Sequence, residues 1–138
     1  MKASRLFLLL MGVVFALSAC AAVSPVNKET GEAALKQRIN AAWQAKQAKK
    51  WGDVYLLSLA QFDDAVSRDD FIRSGKLVVK GFKIAAITIA ADNSSADVVV
   101  CFDTEKMGFT LPGMTIHERW QLHDGVWFMD HNIKKTPF

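Results

Sequence analysis

The sequence predicts an α+β domain in which three helices precede a four-stranded antiparallel sheet and pack on one of its faces. Between residues 35 and 51 apolar side chains recur at helical spacing, and after Gly75 the spacing changes to two. The chain has 138 residues, of which 51% are hydrophobic. That length and composition suit one domain with a sizeable core and leave little room for a second.

The first nineteen residues are predicted to be a secretory signal peptide. Lys2 and Arg5 form a short positive region, and an apolar run over residues 6–17 follows that is too short to span a bilayer comfortably. The segment 17–20, Leu-Ser-Ala-Cys, resembles a bacterial lipobox. This resemblance implies that Cys20 is lipidated on its sulfur, becomes the first mature residue and is acylated on its amine. The alternatives are ordinary signal cleavage, which leaves Cys20 as a free thiol, and an uncleaved anchor.

The lipobox resemblance implies a membrane partner and a place for the protein. Several acyl chains hold a protein on a bilayer where a single chain does not. Residue 21 is Ala and not the Asp that resembles an inner-membrane retention signal. We therefore expect a lipid-anchored protein of the cell envelope, on the periplasmic side of the outer membrane if the source has two membranes. Residues 20–31 show no periodicity and are predicted to tether the domain, residues 32–138, to the membrane.

The charge of the mature chain gives no reason to expect a nucleic-acid partner. The whole chain carries 17 Lys and Arg against 14 Asp and Glu, a net charge of +3. Lys2 and Arg5 leave with the signal peptide and no acid leaves with them, so 15 basic and 14 acidic residues remain. With Cys20 acylated, Cys101 has no partner in the chain, and its apolar neighbours favour a packed thiol over a reactive one.

The first helix is predicted over residues 32 to 50. Its apolar stripe consists of Leu35, Ile39, Ala42, Trp43 and Trp51. Its other face carries Lys36, Gln37, Arg38, Gln44 and Lys46. Gly52 is expected to end it, and Asp53 can cap a second short helix. Ser67 with Asp70 resembles a capping box that opens a third, which Gly75 is placed to end.

Two hairpins are predicted after Gly75. In the first, the turn 92–95 joins 82–91 to 96–103, with the expected pairs Ile89–Val98, Ile87–Val100 and Ala85–Phe102. In the second, Asp124-Gly125 joins 114–123 to 126–132, with the expected pairs Leu122–Trp127, Trp120–Met129, Glu118–His131 and Ile116–Ile133, and with Arg119 facing Asp130. The segment 104–113 between the hairpins is either a lid or interaction loop, or continued strand.

This order of elements resembles the nuclear transport factor 2-like superfamily, also called SnoaL-like or cystatin-like cone folds. The resemblance is carried by the segments 49–58, 67–71 and 118–127. It implies a strongly bent sheet that wraps round the helices and often leaves a cone-shaped pocket. Members of the superfamily include isomerases, dehydratases, partner-binding subunits and secreted domains without an assigned activity, so the fold class does not give the function.

Glu118 and His131 are the catalytic candidates. The expected register places both on the face that carries Trp120 and Trp127, where a carboxylate beside an imidazole can act as an acid/base dyad. The alternative is a structural salt bridge near the open end of the cone. His117 and His123 lie too far apart along one strand to share an ion, so we expect no metal site, and no motif indicates a cofactor.

Aromatic side chains are the candidates for a ligand pocket. The proposed lining is Trp43, Trp51, Tyr55, Phe102, Trp120, Trp127 and Met129. The alternative is that these residues fill the core, because they fit the helix and sheet periodicities. The favoured function is a membrane-anchored, non-enzymatic domain that binds a small apolar ligand or a protein partner. The alternatives are a small enzyme that uses Glu118 and His131, and a dimerising structural module with a filled cone.

Overall fold

The computed structural model describes residues 31–131. The predicted signal peptide and Cys20 lie outside these residues, as do 20–30 of the predicted tether and the last seven residues. The elements, in chain order, are helix α1 Glu32–Gln47, helix α2 Trp51–Leu56, a 3₁₀ turn Leu59–Phe62, helix α3 Arg68–Ser74, and strands β1 Val79–Ile89, β2 Ser95–Lys106, β3 Phe109–His123 and β4 Val126–Met129. Between residues 31 and 131 no helix is long and apolar enough to cross a membrane.

Helix α1 ends earlier than the sequence predicts. Lys49 adopts a left-handed backbone conformation with φ 58°, and the amide of Lys50 donates to the carbonyl of Ala45 at 2.8 Å. This pattern of a left-handed residue and a reverse hydrogen bond satisfies the last carbonyls of the helix. Trp51 therefore begins α2 and does not continue the α1 stripe, and Gly52 lies within α2 and does not end α1.

Helix α3 begins and ends where the sequence predicts. The Ser67 hydroxyl accepts a hydrogen bond from the amide of Asp70 at 3.1 Å, and it donates to the Asp70 carboxylate at 2.7 Å. The hydrogen bond from Ser67 and the neighbouring Arg73 hold the pKa of the exposed Asp70 carboxyl below its ordinary value. Gly75 follows the helix as its C-cap.

The strands form one antiparallel sheet in the order β1-β2-β3-β4, so each strand pairs with its neighbour in the sequence. The fold is thus an α+β arrangement of three α-helices and a four-stranded sheet. The register shifts once between β2 and β3 and twice between β1 and β2, and such irregularities bend strands locally.

The β1–β2 register differs from the prediction by two residues next to the turn and by three beyond the irregularity between Ile84 and Ala86. The observed pairs are Ile89–Ala96, Ile87–Val98, Ile84–Val100 and Phe82–Phe102. The turn starts one residue earlier than predicted, because the Ala90 amide donates to the carbonyl of Ser95 at 2.9 Å and residues 91–94 form the loop. The Asp92 carboxylate holds that loop by accepting from the amide and the hydroxyl of Ser94.

The β3–β4 hairpin confirms the predicted register in part. Trp120 pairs with Met129 and Leu122 with Trp127, across a turn in which Asp124 and Gly125 have φ 50° and 78°. Strand β4 ends at Met129, so the expected Glu118–His131 pair is not formed and that prediction is wrong. Ile133, the other expected partner, lies outside the described residues.

The segment 104–113 is continued strand. Lys106 pairs with Phe109 across a second two-residue turn, in which Met107 and Gly108 have φ 52° and 81°. Positive φ at both central residues is the geometry that matches the twist of the flanking strands in a tight hairpin. Strands β2 and β3 therefore extend as a two-stranded hairpin to residue 108.

The core lies between α1 and one face of the sheet. Leu35, Ile39 and Trp43 of α1 are fully buried, at spacings of four residues that place them on one helical face. They pack on alternate residues of the strands, whose side chains point to the same face of the sheet. The buried sheet residues of this core are Val79, Ala96, Val98, Val100, Phe102, Trp120, Trp127 and Met129.

We predict that Gly75→Ala destabilises the domain by about 1–3 kcal/mol, because a new methyl group has to displace packed atoms. A Cβ at Gly75 would lie 2.2 Å from Cδ2 of Trp51. Gly81→Ala is the matched control, since a Cβ there meets nothing within 4 Å. Urea unfolding followed by tryptophan fluorescence measures both variants. Equal stabilities would show that Trp51 is not held against the C-terminus of α3.

Candidate functional site

Glu118 is the centre of a buried polar cluster. Its side chain lies under α1 on the inner face of β3, and the residue is 2% exposed. Oε1 accepts a hydrogen bond from Nζ of Lys46 at 2.5 Å. Oε2 accepts from the indole Nε1 atoms of Trp43 at 3.2 Å and of Trp120 at 3.3 Å. Both carboxylate oxygens are therefore bound to donors of the protein.

Two elements of regular structure build this cluster, and each supplies two side chains. Trp43 and Lys46 are three residues apart on α1, a spacing that places them side by side on a helix. Glu118 and Trp120 are two residues apart on β3, so both point to the same face of the sheet. The Lys46 ammonium also lies 4.2 Å from the centre of the Trp43 ring, close enough for a cation–π interaction.

The predicted position of Lys46 on the polar face of α1 is wrong. Lys46 is 6% exposed and takes the place of an apolar residue on the buried face. The sequence of α1 does indicate that Lys46 is buried, because Lys46 follows the buried Trp43 by three residues and the buried Ile39 by seven. A lysine at that spacing predicts a buried acid opposite the helix. The sequence of the helix alone does not show which strand supplies that acid.

His131 lies apart from Glu118. Its Nε2 is 3.1 Å from Oδ2 of Asp63, which follows the 3₁₀ turn. The Asp130 amide still donates to the carbonyl of Arg119 on β3 at 2.8 Å. On its other edge, β4 contacts the segment after α2, where the Met129 amide donates to the carbonyl of Leu57 at 2.9 Å, next to a single parallel bridge between Ser58 and Met129. The structure thus replaces the expected Glu118–His131 dyad with two separate contacts, Glu118 with Lys46 and His131 with Asp63.

The predicted pocket residues are placed mainly in the core. Trp43, Phe102, Trp120, Trp127 and Met129 are buried, whereas Trp51 and Tyr55 are half-buried. The Trp43 ring stacks at an angle on Phe102, with centroids 5.1 Å apart, and on Phe82 at 5.7 Å. The space between α1 and β2 is therefore occupied by side chains. Tyr55 packs its ring edge-on against Phe71, 5.4 Å away, at the contact between α2 and α3.

A shallow depression of about 330 Å³ lies over the β1–β2–β3 region, where Phe82 and Phe102 separate it from Trp43 of the Glu118 cluster. Gly81 and Gly113 lack side chains there and leave the surface open between Lys83, Cys101 and Asp103. The Asp103 carboxylate accepts a hydrogen bond from the Gly113 amide at 2.8 Å. The residues that line it are Gly81, Phe82, Lys83, Cys101, Phe102, Asp103 and Gly113. Of the seven predicted pocket residues, Phe102 lines this depression and the other six do not.

Metal-ligating side chains do not gather within residues 31–131, where no group of three or more His, Cys, Asp or Glu residues could hold an ion. His117 and His123 lie on β3, and His123 stacks on Phe62 with ring centroids 4.5 Å apart. Phe62 in turn packs edge-on against Phe128, and the Arg38 guanidinium lies 4.8 Å from the centre of the Phe128 ring. These contacts form an aromatic surface cluster beside β4.

Comparison with known proteins assigns a fold and no activity. No protein-family model matches the sequence, and no functionally curated protein is significantly similar to it. A SEC-C motif containing protein from Rhodopseudomonas palustris is similar in structure, with a TM-score of 0.53 and 14% identity over 71% of this chain and 76% of that one. A SEC-C motif containing protein from Psychrobacter arcticus gives a TM-score of 0.56 and 11% identity over 75% of this chain and 62% of that one.

An NTF2-like protein from Cytophaga hutchinsonii gives a TM-score of 0.48 and 18% identity over 69% of this chain and 88% of that one. The two SEC-C motif containing proteins are the stronger matches, and they show a shared fold. At such identities the likeness says nothing about substrate or partner. The chain also spans less than two thirds of the Psychrobacter protein.

We predict that Glu118→Gln destabilises the domain by about 3 kcal/mol, because it leaves the Lys46 ammonium buried without a counter-charge. Adding Lys46→Met to this variant should recover most of the loss, since the unpaired charge is then removed. Urea unfolding of the two single variants and the double variant gives the coupling free energy.

The exposed pair of Arg119 and Asp97, whose side-chain atoms lie 3.5 Å apart, is the control for this cycle. Replacing both by Ala should change the stability by less than about 1 kcal/mol, because solvent screens exposed pairs. A stable Glu118→Gln variant would show that the Lys46 charge reaches water.

Proposed function

We propose that this chain is a lipid-anchored protein of the cell envelope whose domain is a non-catalytic binding module of the nuclear transport factor 2-like class. In this proposal binding takes place on the exterior of the domain, at the membrane or at an envelope partner. The observation that carries it is the closed state of the Glu118 cluster, in which both carboxylate oxygens have protein donors and the residue is 2% exposed.

The closed cluster argues against the small-enzyme alternative. A general acid or base needs hydrogen-bond reach to the proton that it transfers. Each oxygen of Glu118 already accepts a hydrogen bond from the protein, and the residue is 2% exposed, so a substrate has no direct access to it. His131 faces Asp63 at a different place in the domain. An enzyme built on Glu118 and His131 would need both the helix and the end of β4 to move.

The order of three helices and a consecutive four-stranded antiparallel sheet supports the fold class in this proposal. Helix α1 contacts both edge strands, β1 and β4, so the sheet faces α1 along its whole width. This is the arrangement that a sheet bent round one helix produces. In this chain the concave side is filled by Trp43, Trp120 and Trp127.

We predict that the chain produced in a bacterial host is cleaved before Cys20 and carries acyl chains on that residue. The intact mass should exceed that of residues 20–138 by one diacylglyceryl group, with or without a third acyl chain. Cys20→Ala should abolish the added mass, because the thiol that accepts the lipid is gone. Cys101→Ser is the matched control and should keep it. A wild-type chain without added lipid would refute the anchor.

We predict that the purified chain holds no small ligand in its core. Native mass spectrometry from detergent should give the mass of the acylated chain alone, or an integer multiple of it if the chain dimerises. Covalent acyl groups survive denaturation, whereas a bound ligand is lost. A mass excess that disappears on denaturation would support the small-ligand alternative, with the depression beside Gly81 and Gly113 as the first place to look.

A further inference from the structure

The β2–β3 hairpin ends in three exposed apolar side chains, Met107, Phe109 and Leu111, which we call the apolar tip. Met107 is 89% exposed, Phe109 73% and Leu111 38%. Phe109 and Leu111 are two residues apart on β3 and point to one face of the hairpin. A cluster of large apolar side chains in water is costly, so a protein that keeps one uses it for an interaction.

The turn at the end of the hairpin presents this tip in a defined conformation. Met107 and Gly108 complete a two-residue loop between the paired residues Lys106 and Phe109. Backbone pairing continues down both strands from the loop, through Glu105–Thr110 and Thr104–Leu111. The tip is therefore carried on a paired two-stranded ribbon.

Lysines surround the base of this tip, and we call Lys49, Lys80 and Lys106 the basic collar. Lys80 Nζ lies 2.7 Å from Oε2 of Glu105, two residues from Met107 in the sequence. Gln47, two residues before Lys49, donates from its side-chain amide to the carbonyl of Lys80 at 2.9 Å, which places the C-terminal end of α1 beside β1. The hydrogen bond from Lys80, together with the charges of Lys80 and Lys49, lowers the pKa of the Glu105 carboxyl. Lys106 is exposed and adjoins the turn. The collar holds three cations against two carboxylates of β2, Glu105, which pairs with Lys80, and Asp103, which lies opposite Gly81.

We propose that the apolar tip inserts into the headgroup region of a bilayer and that the basic collar binds its anionic lipid headgroups. This inference rests on the proposed function, because the lipid anchor supplies the membrane. Apolar side chains that enter the boundary between headgroups and acyl chains lose their contact with water, and each lysine near an anionic surface adds attraction. The chemistry required of the partner is thus a layer of anionic headgroups over hydrocarbon.

The composition of this surface favours a bilayer over a protein or a second copy. Protein interfaces are enriched in aromatic residues and Met, which the tip contains, but they are depleted in lysine, which makes up the whole collar. Two copies that met tip to tip would bring their collars together, and like charges repel. A bilayer accepts apolar groups without a matching shape and neutralises the lysines at the same time.

The length of chain before the domain permits this orientation. Helix α1 has 16 residues and is about 24 Å long, with Lys49 just beyond its C-terminal end. Eleven residues separate the predicted acylated position from Glu32, and the twelve steps between these two Cα atoms can span up to about 40 Å when extended. The anchor and the tip can therefore reach one membrane together.

The test measures the depth of the tip in vesicles that carry the processed, full-length protein. Met107→Cys in a Cys101→Ser background takes an environment-sensitive fluorophore, and brominated lipids quench it on insertion. Ala91→Cys is the matched control, because it lies beyond the opposite end of β2, about 36 Å away along the strand. Vesicles contain phosphatidylcholine alone or with phosphatidylglycerol.

We expect quenching and a blue shift at position 107, and not at position 91, in vesicles that contain phosphatidylglycerol. Phe109→Ser should reduce the quenching in these vesicles. Lys49→Gln and Lys106→Gln should each shift the equilibrium between inserted and withdrawn tip about fivefold, and high salt should do the same. Circular dichroism confirms that each variant is folded.

Three outcomes would overturn the proposal. The first is equal quenching at positions 107 and 91, or none at either. The second is quenching at position 107 that is equal in vesicles with and without phosphatidylglycerol. The third is a change at position 107 that follows the protein-to-lipid ratio, which would identify a second copy as the occupant. The intact mass of the same sample separates the two proposals. An acylated chain with an unquenched tip refutes insertion alone, and an unacylated chain whose tip still binds added vesicles refutes the anchor alone.

Discussion

The buried carboxylate of Glu118 constrains the whole helix–sheet packing. Moving a carboxylate and an ammonium out of water costs several kcal/mol per ion, and that cost is offset only by well-placed partners. Lys46, Trp43 and Trp120 supply these partners from two elements. A different rotation of α1, or a slip of β3 by one residue, would leave the charge unpaired. The cluster therefore disfavours every other arrangement of α1 on the sheet more strongly than apolar contacts alone would.

The same cluster fills part of the interior of the domain. The large aromatic residues of this domain surround the Glu118 cluster and fill the space in which a cone-shaped fold would hold a ligand. The interior of the described domain is thus packed with side chains. In the proposed function recognition takes place on the exterior, where the two tight hairpins differ. Asp124-Gly125 ends one in a polar turn, whereas Met107-Gly108 ends the other in an exposed thioether beside Phe109.

Local patterns predicted much of the fold. The Asp-Gly turn fixed the pairing of Trp120 with Met129, and Ser67 with Asp70 marked the start of α3, because both signals act over a few residues. The predicted β1–β2 register is wrong because the loop that Asp92 holds consists of residues 91–94, one residue earlier than the polar cluster 92–95 indicates. This displacement changes the pairing next to the turn by two residues. The composition of residues 104–113 is compatible with either a loop or a strand. The pairing of β2 with β3 shows that the segment is continued strand.

The sequence by itself determined the order of helices and strands, the apolar stripe of α1 and the importance of Glu118 as an acid on an apolar face. Only the tertiary structure decided the partner of that acid. Lys46 and Glu118 are 72 positions apart, and no local pattern relates them. Their pairing depends on how α1 crosses the sheet, which is a property of the packed domain. The contact of His131 with Asp63 joins residues 68 positions apart, and it likewise depends on how the segment after β4 packs against the end of the 3₁₀ turn.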